Sequence, residues 1–389
     1  MIRIDNKEGC SGCHGCATVC PKGCITMLRD DEGFLYPYVN EQSCVDCGLC
    51  EQVCPILHPL SKNEPPQALA VMNKDDTVRL ESSSGGVFTL LAEAVIDRGG
   101  VVFGAAFDER FAVLHIPVKT KEDLFRLRGS KYVQSTIGDT YRQAQALLQA
   151  GTPVLFTGTP CQIEGLYGYL RQEYDHLITA DIICHGVPSP AVWEEYIRYR
   201  EGDTASPVET VSFRYKKDGW KRFLLRLVFK NGREHKQPRS EDVYMQGFLK
   251  NLSLRPSCYA CSVKSFERAA DITLADFWGV ANVHPDMDDD KGTSLVFVNS
   301  KKGQALMQDL LSDCVSCPTD AKKAGERNYA MIRSVMRPEG RDTFIRDVLA
   351  HGFDYVKKTY LKATYQDRIK LLRRRLSSLK RKGRSLFGR

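Results

Sequence analysis

Short apolar stretches alternate with longer amphipathic ones over most of the chain after residue 67. The strand-like stretches are 68–72, 101–107, 113–118, 154–157 and 178–183, and several of them precede helical patterns. This alternation predicts a larger α/β domain with a mixed sheet. Further along, residues 208–215 and 223–229 are β-rich, and Asn231-Gly232 predicts a tight turn after the second stretch.

The N-terminal segment carries one cysteine spacing twice. Both runs have the pattern Cys-x2-Cys-x2-Cys-x3-Cys-Pro, at residues 10–21 and 44–55. Bacterial ferredoxins hold two [4Fe–4S] clusters with this spacing, and the fourth cysteine of each run binds the other cluster. The predicted ligand sets are Cys10, Cys13, Cys16 and Cys54 for one cluster, and Cys44, Cys47, Cys50 and Cys20 for the other. Gly12, Gly15 and Gly48 permit the tight backbone curl that such loops need.

Two other kinds of cysteine site are alternatives to this prediction. Structural zinc also uses Cys-x2-Cys pairs, and dense cysteines also form disulfide scaffolds. Zinc gives no reason for the doubled run, and a chain of 389 residues needs no disulfide staples. Zinc is the main alternative. Cys24, just past the first run, is expected to be a small buried side chain with no ligand role.

Length and composition predict two or three domains in an ordinary globular protein. The chain has 389 residues and 42% hydrophobic content. The polar residues and the Pro-Pro pair of segment 61–67 predict a linker between an α+β ferredoxin module at 1–60 and the larger domain at 68–357. No apolar run resembles a signal peptide or approaches the ~18 residues that span a bilayer. With 15 cysteines, these features predict metal ligands in a reducing cytoplasm.

The net charge of +7 is concentrated in a basic tail, which we place at residues 358–389. Residues 366–389 carry ten Lys or Arg and one Asp, a charge of +9, which leaves −2 for residues 1–365. No nucleic-acid partner is therefore expected. Ile369, Leu372, Leu376 and Leu379 recur at helical spacing, which predicts a basic amphipathic helix. Such a helix is either a solvated tail or a peripheral contact with the anionic inner face of a membrane.

Six further cysteines lie outside the N-terminal segment. They are Cys161, Cys184, Cys258, Cys261, Cys314 and Cys317. Cys161 and Cys184 each follow a predicted strand, where sites gather in α/β domains. With the Cys-x2-Cys pair at 258 and 261 they make four ligands, sufficient for a third [4Fe–4S] cluster, and ordinary buried cysteines are the alternative. The pair at 314 and 317 closes a predicted amphipathic helix and is left without a role.

Three polar segments contain glycine and lie between the predicted elements, at residues 82–88, 128–135 and 157–162. The first segment precedes a predicted helix that runs to about residue 97. The start of this helix offers free N–H groups that could bind phosphate. An ordinary turn with a helix cap is an equally good explanation of the segment. Together the three segments could hold a flavin against a cluster. Neither a Rossmann glycine fingerprint nor a phosphate-binding P-loop is present.

Over residues 68–312 these segments resemble the β subunit of coenzyme F420-reducing hydrogenase and its relatives. The matching motifs also include Cys184-His-Gly-Val-Pro-Ser189, the Cys-x2-Cys pair and residues 271–279. With a ferredoxin module in front, the chain is similar to the F420 dehydrogenase and 7-hydroxymethyl chlorophyll reductase branches. The resemblance implies FAD beside a [4Fe–4S] cluster held by Cys161, Cys184, Cys258 and Cys261. It also implies a set of residues near FAD: Ser84, Gly85, Gly86, Lys131, Tyr132, Gln134 and Thr159.

The function implied is an iron–sulfur flavoprotein oxidoreductase that passes electrons between a ferredoxin-like partner protein, the clusters and FAD, and a small organic substrate. Coenzyme F420 is one candidate substrate. His185, beside Cys184, either donates a proton or orients the cluster loop. Lys264 and Arg268 either offset cluster charge or are solvated. The alternatives are a non-catalytic electron-transfer subunit that feeds a partner enzyme, and a structural zinc protein.

Overall fold

The computed structural model of the protein describes residues 1–63 and 66–361. Within those residues, none of the helices has both the length and the apolar character needed to cross a membrane. The predicted amphipathic helix at 366–389 and its membrane contact lie outside the described residues, as do residues 64 and 65 of the predicted linker.

The N-terminal module combines an antiparallel hairpin with two short helices, one within each cysteine run. Its elements are α1 Gly15–Val19, β1 Ile25–Arg29, β2 Leu35–Val39 and α2 Leu49–Gln52. Both helices begin after a residue in the left-handed region, His14 (φ 68°) before α1 and Gly48 (φ 72°) before α2. Gly12 and Asp46, two residues earlier in each run, are also left-handed. The sequence repeat is therefore a backbone repeat.

Gly15 plays a different part from the one expected. The left-handed residues of the first loop are Gly12 and His14, and Gly15 is not among them. A Cβ added to Gly15 would lie 3.4 Å from the carbonyl oxygen of Gly165 in the larger domain. Gly15 thus allows the module to approach that domain, and the loop curl comes from its neighbours.

An eight-stranded mixed sheet forms the centre of the larger domain. Its strands are β3 Gln67–Asn73, β4 Val101–Phe107, β5 Val113–Val118, β6 Val154–Gly158, β7 Leu177–Ile182, β11 Ile272–Asp276, β12 Ser294–Val298 and β13 Cys314–Thr319. Their order is β13-β3-β12-β11-β7-β6-β4-β5. The inner strands β11, β7, β6 and β4 are parallel, and the flanking strands pair antiparallel. Since β6 and β7 are parallel neighbours, their carboxyl ends lie at one edge of the sheet.

Helices cover both faces of this sheet, so its inner strands are buried on both sides. The helices of this region are α3 Asp76–Glu81, α4 Val87–Ile96, α5 Thr140–Gln149, α6 Pro160–Leu170, α9 Lys301–Asp309 and α10 Ala321–Glu326. One apolar cluster joins α4 and α9 to the sheet, and another joins α5 and α6 to it. The strands predicted at 101–107 and 113–118 coincide with β4 and β5.

A second, three-stranded sheet packs with long helices beside the main sheet. Its elements are α7 Pro190–Thr204, β8 Val208–Tyr215, β9 Leu224–Phe229, β10 Glu234–Pro238, α8 Val243–Leu249 and α11 Arg341–Thr359. The core between them is aromatic, with Trp193 and Phe213 rings 5.0 Å apart. The predicted turn at Asn231-Gly232 joins β9 to β10, and Gly232 is left-handed (φ 77°) as such a turn requires.

The Cys314 and Cys317 pair lies in a strand and does not close a helix. Helix α9 ends at Asp309, and both cysteines belong to β13, which pairs with β3 at the sheet margin. The Cys317 sulfur is 3.5 Å from Nδ1 of His284.

Candidate iron–sulfur sites

Twelve cysteines form three sets. The first ferredoxin set is Cys10, Cys13, Cys16 and Cys54, the second ferredoxin set is Cys20, Cys44, Cys47 and Cys50, and the third set is Cys161, Cys184, Cys258 and Cys261. All fifteen cysteines of the chain are free of disulfide bonds. Their thiols are therefore available as ligands.

The structure brings the third set together around one cavity. All four side chains line it, although they come from three separate stretches of the chain. The cavity has a volume of about 80 Å³, several times the 10–15 Å³ or so that a single water molecule requires. Four soft sulfur donors around a space of this size suit a group of several atoms such as a cluster.

Local structure explains how each thiol of the third set is aimed. Cys161 is in the first turn of α6. Thr159 and Gln162 form a capping box at the start of this helix, and Pro160 occupies its first position. Cys184 follows the end of β7, the strand beside β6. Cys258 lies in the 3-10 turn Pro256–Ala260 and Cys261 ends it, so their spacing folds both sulfurs to one side.

Electrostatics at the third set disfavour four free thiolates. Burial raises the pKa of Cys161 well above its usual value, and the neighbouring cysteines raise it further. Burial likewise raises the pKa of Cys184 to about 12 and that of Cys258 to about 11. Since metals bind the thiolate, filling the site releases protons and requires a cationic centre to hold the charge.

Two further features of the cavity wall fit an anionic, sulfur-rich group. The buried hydroxyl oxygen of Ser11 has no hydrogen-bond partner and is part of the wall. Lys264 and Arg268 also line the cavity. Arg268 is only 1% exposed and pairs with Asp181 at 3.5 Å, so it is not a solvated surface cation. Within the described residues, no three or more His, Cys, Asp or Glu side chains are arranged as a site for a metal ion.

Both ferredoxin sets also converge. In the first set, burial raises the pKa of Cys13 to about 12, and Cys10 and Cys54 raise it further because they are close. All four members of the second set line a single cavity. That cavity measures about 20 Å³, little more than the roughly 10–15 Å³ of one water molecule. The assignment of the second set therefore rests on the spacing motif and on which cysteines converge.

Cys24 is buried, as expected, but it is not remote from the ligands. Its sulfur lies 3.3 Å from that of Cys20, and it lines the same cavity as the second ferredoxin set. The sequence offered no sign of this proximity.

Helix α6 connects the third set to the first ferredoxin set. Its first turn carries Cys161, and one turn later Gly165 lies against the module. A Cβ on Gly165 would be 2.7 Å from the Cβ of Cys13, and one on Gly168 would be 2.4 Å from the carbonyl oxygen of Val53. These two glycines, three positions apart on one helix face, permit close contact between helix and module.

Arg255 is a second link between these sites, and sequence reasoning missed it. Its side chain is fully buried. The guanidinium donates to the backbone oxygens of Cys10 (2.8 Å) and Leu35 (3.0 Å) and to the side-chain oxygen of Gln134 (3.0 Å). Its position three residues before Cys258 was the available signal.

The residues expected near FAD fall into separate places. Gly85 and Gly86 pack on the strands: a Cβ at Gly85 would be 2.4 Å from the Val71 carbonyl oxygen. The Ser84 hydroxyl donates to the Thr293 carbonyl at 2.9 Å. The Thr159 hydroxyl lies 3.2 Å from the Cys161 sulfur, beside the third set.

Two of these residues are engaged in ways that do not fit a flavin site. The Lys131 ammonium donates to three backbone oxygens, those of residues 126, 127 and 128, at 2.9–3.1 Å, which uses all its hydrogens. Burial lowers its pKa to about 7. The Gln134 amide donates to the Ser11 carbonyl at 3.1 Å and therefore faces the ferredoxin module.

A polar network does join two of the segments, around Arg214. The hydroxyls of Ser83 and Ser130 are 2.9 Å apart. Arg214 pairs with Asp276 at the end of β11 (2.9 Å) and donates to the Ser83 carbonyl (3.0 Å) and to the Tyr132 hydroxyl (3.1 Å). No local pattern in the sequence points to Arg214, because only the fold brings β8 to these loops.

His185 lies next to Cys184 with its ring half-buried. Nε2 is 2.7 Å from the Asn251 side-chain oxygen, and the ring edge meets Phe248. Burial lowers its pKa, so the ring is neutral near pH 7. Its backbone oxygen accepts from Lys264 at 3.3 Å, which ties the Cys184 loop to the segment after Cys261.

Comparison with known proteins agrees with this arrangement. Residues 151–320 match the family that comprises the C-terminal part of the coenzyme F420 hydrogenase/dehydrogenase β subunit, and residues 9–56 match the "4Fe-4S dicluster domain". The chain is thus similar to the coenzyme F420 hydrogenase/dehydrogenase β subunit over residues 151–320, and it carries an N-terminal ferredoxin module. In this β-subunit-like protein, Cys161, Cys184, Cys258 and Cys261 all lie inside the matched region.

Relatives of this β-subunit-like protein include two from methanogens. One of the subunits of the F(420)H(2) dehydrogenase of Methanosarcina mazei is 25% identical over 42% of this chain and 49% of its own length. "Coenzyme F420-dependent sulfite reductase" of Methanocaldococcus jannaschii is 28% identical over 43% of this chain and 26% of its own length. The chain thus spans half or less of these relatives. A chain of the F420-reducing [NiFe] hydrogenase complex of Methanosarcina barkeri aligns over 69% of this chain and 91% of its own, at 18% identity and a TM-score of 0.46.

Proposed function

We propose that this protein is an electron-relay subunit of an oxidoreductase, with clusters on all three cysteine sets. One observation carries the proposal: the cavity of the third set, in the larger domain, is walled in part by Glu8, Ser11 and Ile56 of the ferredoxin module. Bound [4Fe–4S] clusters supply one-electron transfer between neighbouring sites. The family match and the dicluster match support this proposal.

An exposed cysteine indicates where the relay can meet an external carrier. Cys47 of the second ferredoxin set is exposed, whereas Cys13 and Cys16 of the first set are buried. In the third set, Cys161 follows β6 and Cys184 follows β7, at one edge of the main sheet. A ferredoxin-like carrier would exchange electrons at the second set, and a substrate or a partner subunit would do so near the third.

Counting the bound groups tests the relay. Anaerobic purification should yield about twelve irons and twelve sulfides per chain, four of each per cubane. A total of about eight irons would leave the third set empty and end the three-cluster relay. A colourless protein with zinc would support the structural-metal alternative.

A flavin between the third set and a substrate is the second part of the proposal. The meeting of Ser83 and Ser130 beside the buried Arg214 supports it, since these residues bring two of the three polar segments together. The proposal does not use the side chains of Lys131 and Gln134, which hydrogen-bond to backbone oxygens elsewhere. One FAD per chain is expected, and its release on denaturation is measured by fluorescence. Twelve irons without flavin would favour the non-catalytic relay that feeds a partner enzyme.

Coenzyme F420 is the candidate substrate, because both relatives carry it in their names. Reduced F420 added to the anaerobic, cluster-loaded protein with an excess of an artificial one-electron acceptor should be oxidised. No change in the deazaflavin absorption would remove F420 as the substrate and leave the relay proposal standing.

A further inference from the structure

Arg255 is a buried cation with an unusual set of partners. None of its side-chain surface is exposed. Besides the two backbone oxygens and the Gln134 amide, its Nη2 lies 3.6 Å from the Cys10 sulfur, and its guanidinium is stacked 4.2 Å above the Tyr36 ring centre. Except for the Cys10 sulfur, these partners are neutral.

Other buried arginines of this protein are balanced by acids. Arg341, 2% exposed, pairs with Glu32, and Arg268, 1% exposed, pairs with Asp181. Among residues 1–63 and 66–361, no Asp or Glu forms an ion pair with Arg255. Burying a charge without a counter-charge is costly. The opposite charge at Arg255 must therefore come from what the cysteines hold.

Arg255 lies between two of the cysteine sets. On one side its guanidinium contacts Cys10 of the first ferredoxin set. On the other side its backbone oxygen accepts from the N–H of Cys258, a member of the third set, at 2.9 Å. Gly12 makes room for it, because a Cβ there would lie 2.8 Å from Nη1. The loop between Cys10 and Cys13 is thus shaped around this guanidinium.

We propose that Arg255 is the shared counter-cation of the first ferredoxin set and the third set, and that it raises the reduction potentials of the clusters bound there. The inference rests on the proposed function, in which both sets hold [4Fe–4S] clusters. Each such cluster, with its four thiolates, is anionic and gains one more negative charge when it takes up an electron. A fixed positive charge stabilises the reduced form more than the oxidised form, because attraction grows with charge in a poorly screened interior. Arg255 is in this view a positioning residue, not a catalytic one.

Redox titration of charge-changing variants tests the role. In full-length, anaerobically purified Arg255→Met, the midpoint potentials of the clusters on the first and third sets should fall. The expected change is about tenfold in the reduced-to-oxidised ratio at a fixed potential, or about 59 mV for a one-electron centre. The second ferredoxin set should shift less. Electron paramagnetic resonance of the reduced clusters follows each titration.

A second variant changes the charge without removing the arginine. Gln134→Glu places a carboxylate beside the Arg255 guanidinium. In the native protein, Nη1 of Arg255 donates to the Gln134 side-chain oxygen at 3.0 Å. It should lower the same two potentials, and Arg255→Lys, which retains the charge, should lower them least. If Arg255→Met does not fold, the order of these two variants decides the matter.

The matched control removes another buried arginine together with its own counter-charge. The double variant Glu32→Gln with Arg341→Met deletes a neutral pair at the same interface. It should keep all three potentials while lowering stability. Unchanged potentials in both Arg255→Met and Gln134→Glu, with full iron content, would overturn the role of Arg255. A native protein lacking iron at either set would instead reject the proposed function.

Discussion

Three kinds of backbone position the four thiols of the third set. Cys161 comes from a helix start, Cys184 from a strand end, and Cys258 and Cys261 from one 3-10 turn. The helix and the strand fix the positions of Cys161 and Cys184, and the short turn fixes the spacing between Cys258 and Cys261. Removing one of these sulfurs should therefore prevent a cluster from binding at the third set while the protein still folds.

We expect Cys161→Ser to lose about four of twelve irons, because a hydroxyl is a poor replacement for thiolate at a cubane. Iron and sulfide analysis after anaerobic purification measures the loss. Cys314→Ser is the control, since Cys314 is buried in β13 outside the three sets. Equal iron in both variants would mean that Cys161 is not a ligand.

Two buried histidines predict a loss of stability in mild acid. Burial lowers the pKa of both His14 and His115 to about 4. Between pH 6.5 and about 4 the unfolded chain then binds protons that the folded chain excludes, so stability falls as pH falls through this window. His115 Nε2 lies 2.9 Å from the Thr157 carbonyl oxygen. His115→Gln keeps a donor for that oxygen but removes the titrating ring, so it should flatten the dependence of Tm on pH. The same slope in the variant and the native protein would refute this account.

Among the elements, the eleven-residue helix α6 both positions Cys161 and packs against the ferredoxin module. It presents Cys161, a proposed ligand, at its first turn and a glycine face to the module one turn later. The distance between the third set and the first ferredoxin set therefore depends on how closely this helix can pack.

Enlarging Gly165 tests that dependence. Gly165→Val would place a methine carbon 2.7 Å from Cys13, so we expect overpacking to cost about 1–3 kcal/mol and to reduce iron at the first ferredoxin set. Chemical unfolding and iron analysis measure both effects. Gly202→Ala in α7 is the control: nothing lies within 4 Å of an added Cβ there. That change should stabilise by roughly 0.4–1 kcal/mol.

Local patterns were enough to locate strands such as β4, β5 and β8, because each is a short stretch rich in apolar and β-forming residues. The cysteines of the three sets were equally visible as candidates, because their spacing and their positions after strands are local features. Residues 314–319 were misjudged because pairing with β3, far away in sequence, decides that they form a strand. Arg255, Gly165 and Arg214 gain their roles from contacts across the fold. Apart from the closeness of Arg255 to Cys258 along the chain, their immediate sequence does not express those contacts.

In the whole molecule, charged and polar contacts fasten the ferredoxin module to the larger domain. Arg341 pairs with Glu32, Arg337 with Glu8 at 2.9 Å, and Arg29 with Glu194 at 2.8 Å. The first arginine is buried, whereas Arg29 is half exposed. The two parts should therefore unfold together.

Arg341→Met should weaken this attachment strongly, by up to about 3–5 kcal/mol, because it strands Glu32 in a largely buried site. Arg29→Met should cost at most about 1 kcal/mol, since exposed pairs contribute little. Denaturant unfolding followed by far-ultraviolet dichroism and by cluster absorbance would measure each loss and show whether the two signals change together. Separate transitions in the native protein would contradict the idea of one cooperative unit.

The hydroxyl of Ser11 belongs to one domain and helps to enclose a cavity made by the other. The ferredoxin module is therefore more than a tethered electron carrier that visits and leaves. In the proposed relay, detaching the module would open the cavity of the third set to water and oxygen, so covalent fusion would shield a cluster bound there as well as shorten the electron's path.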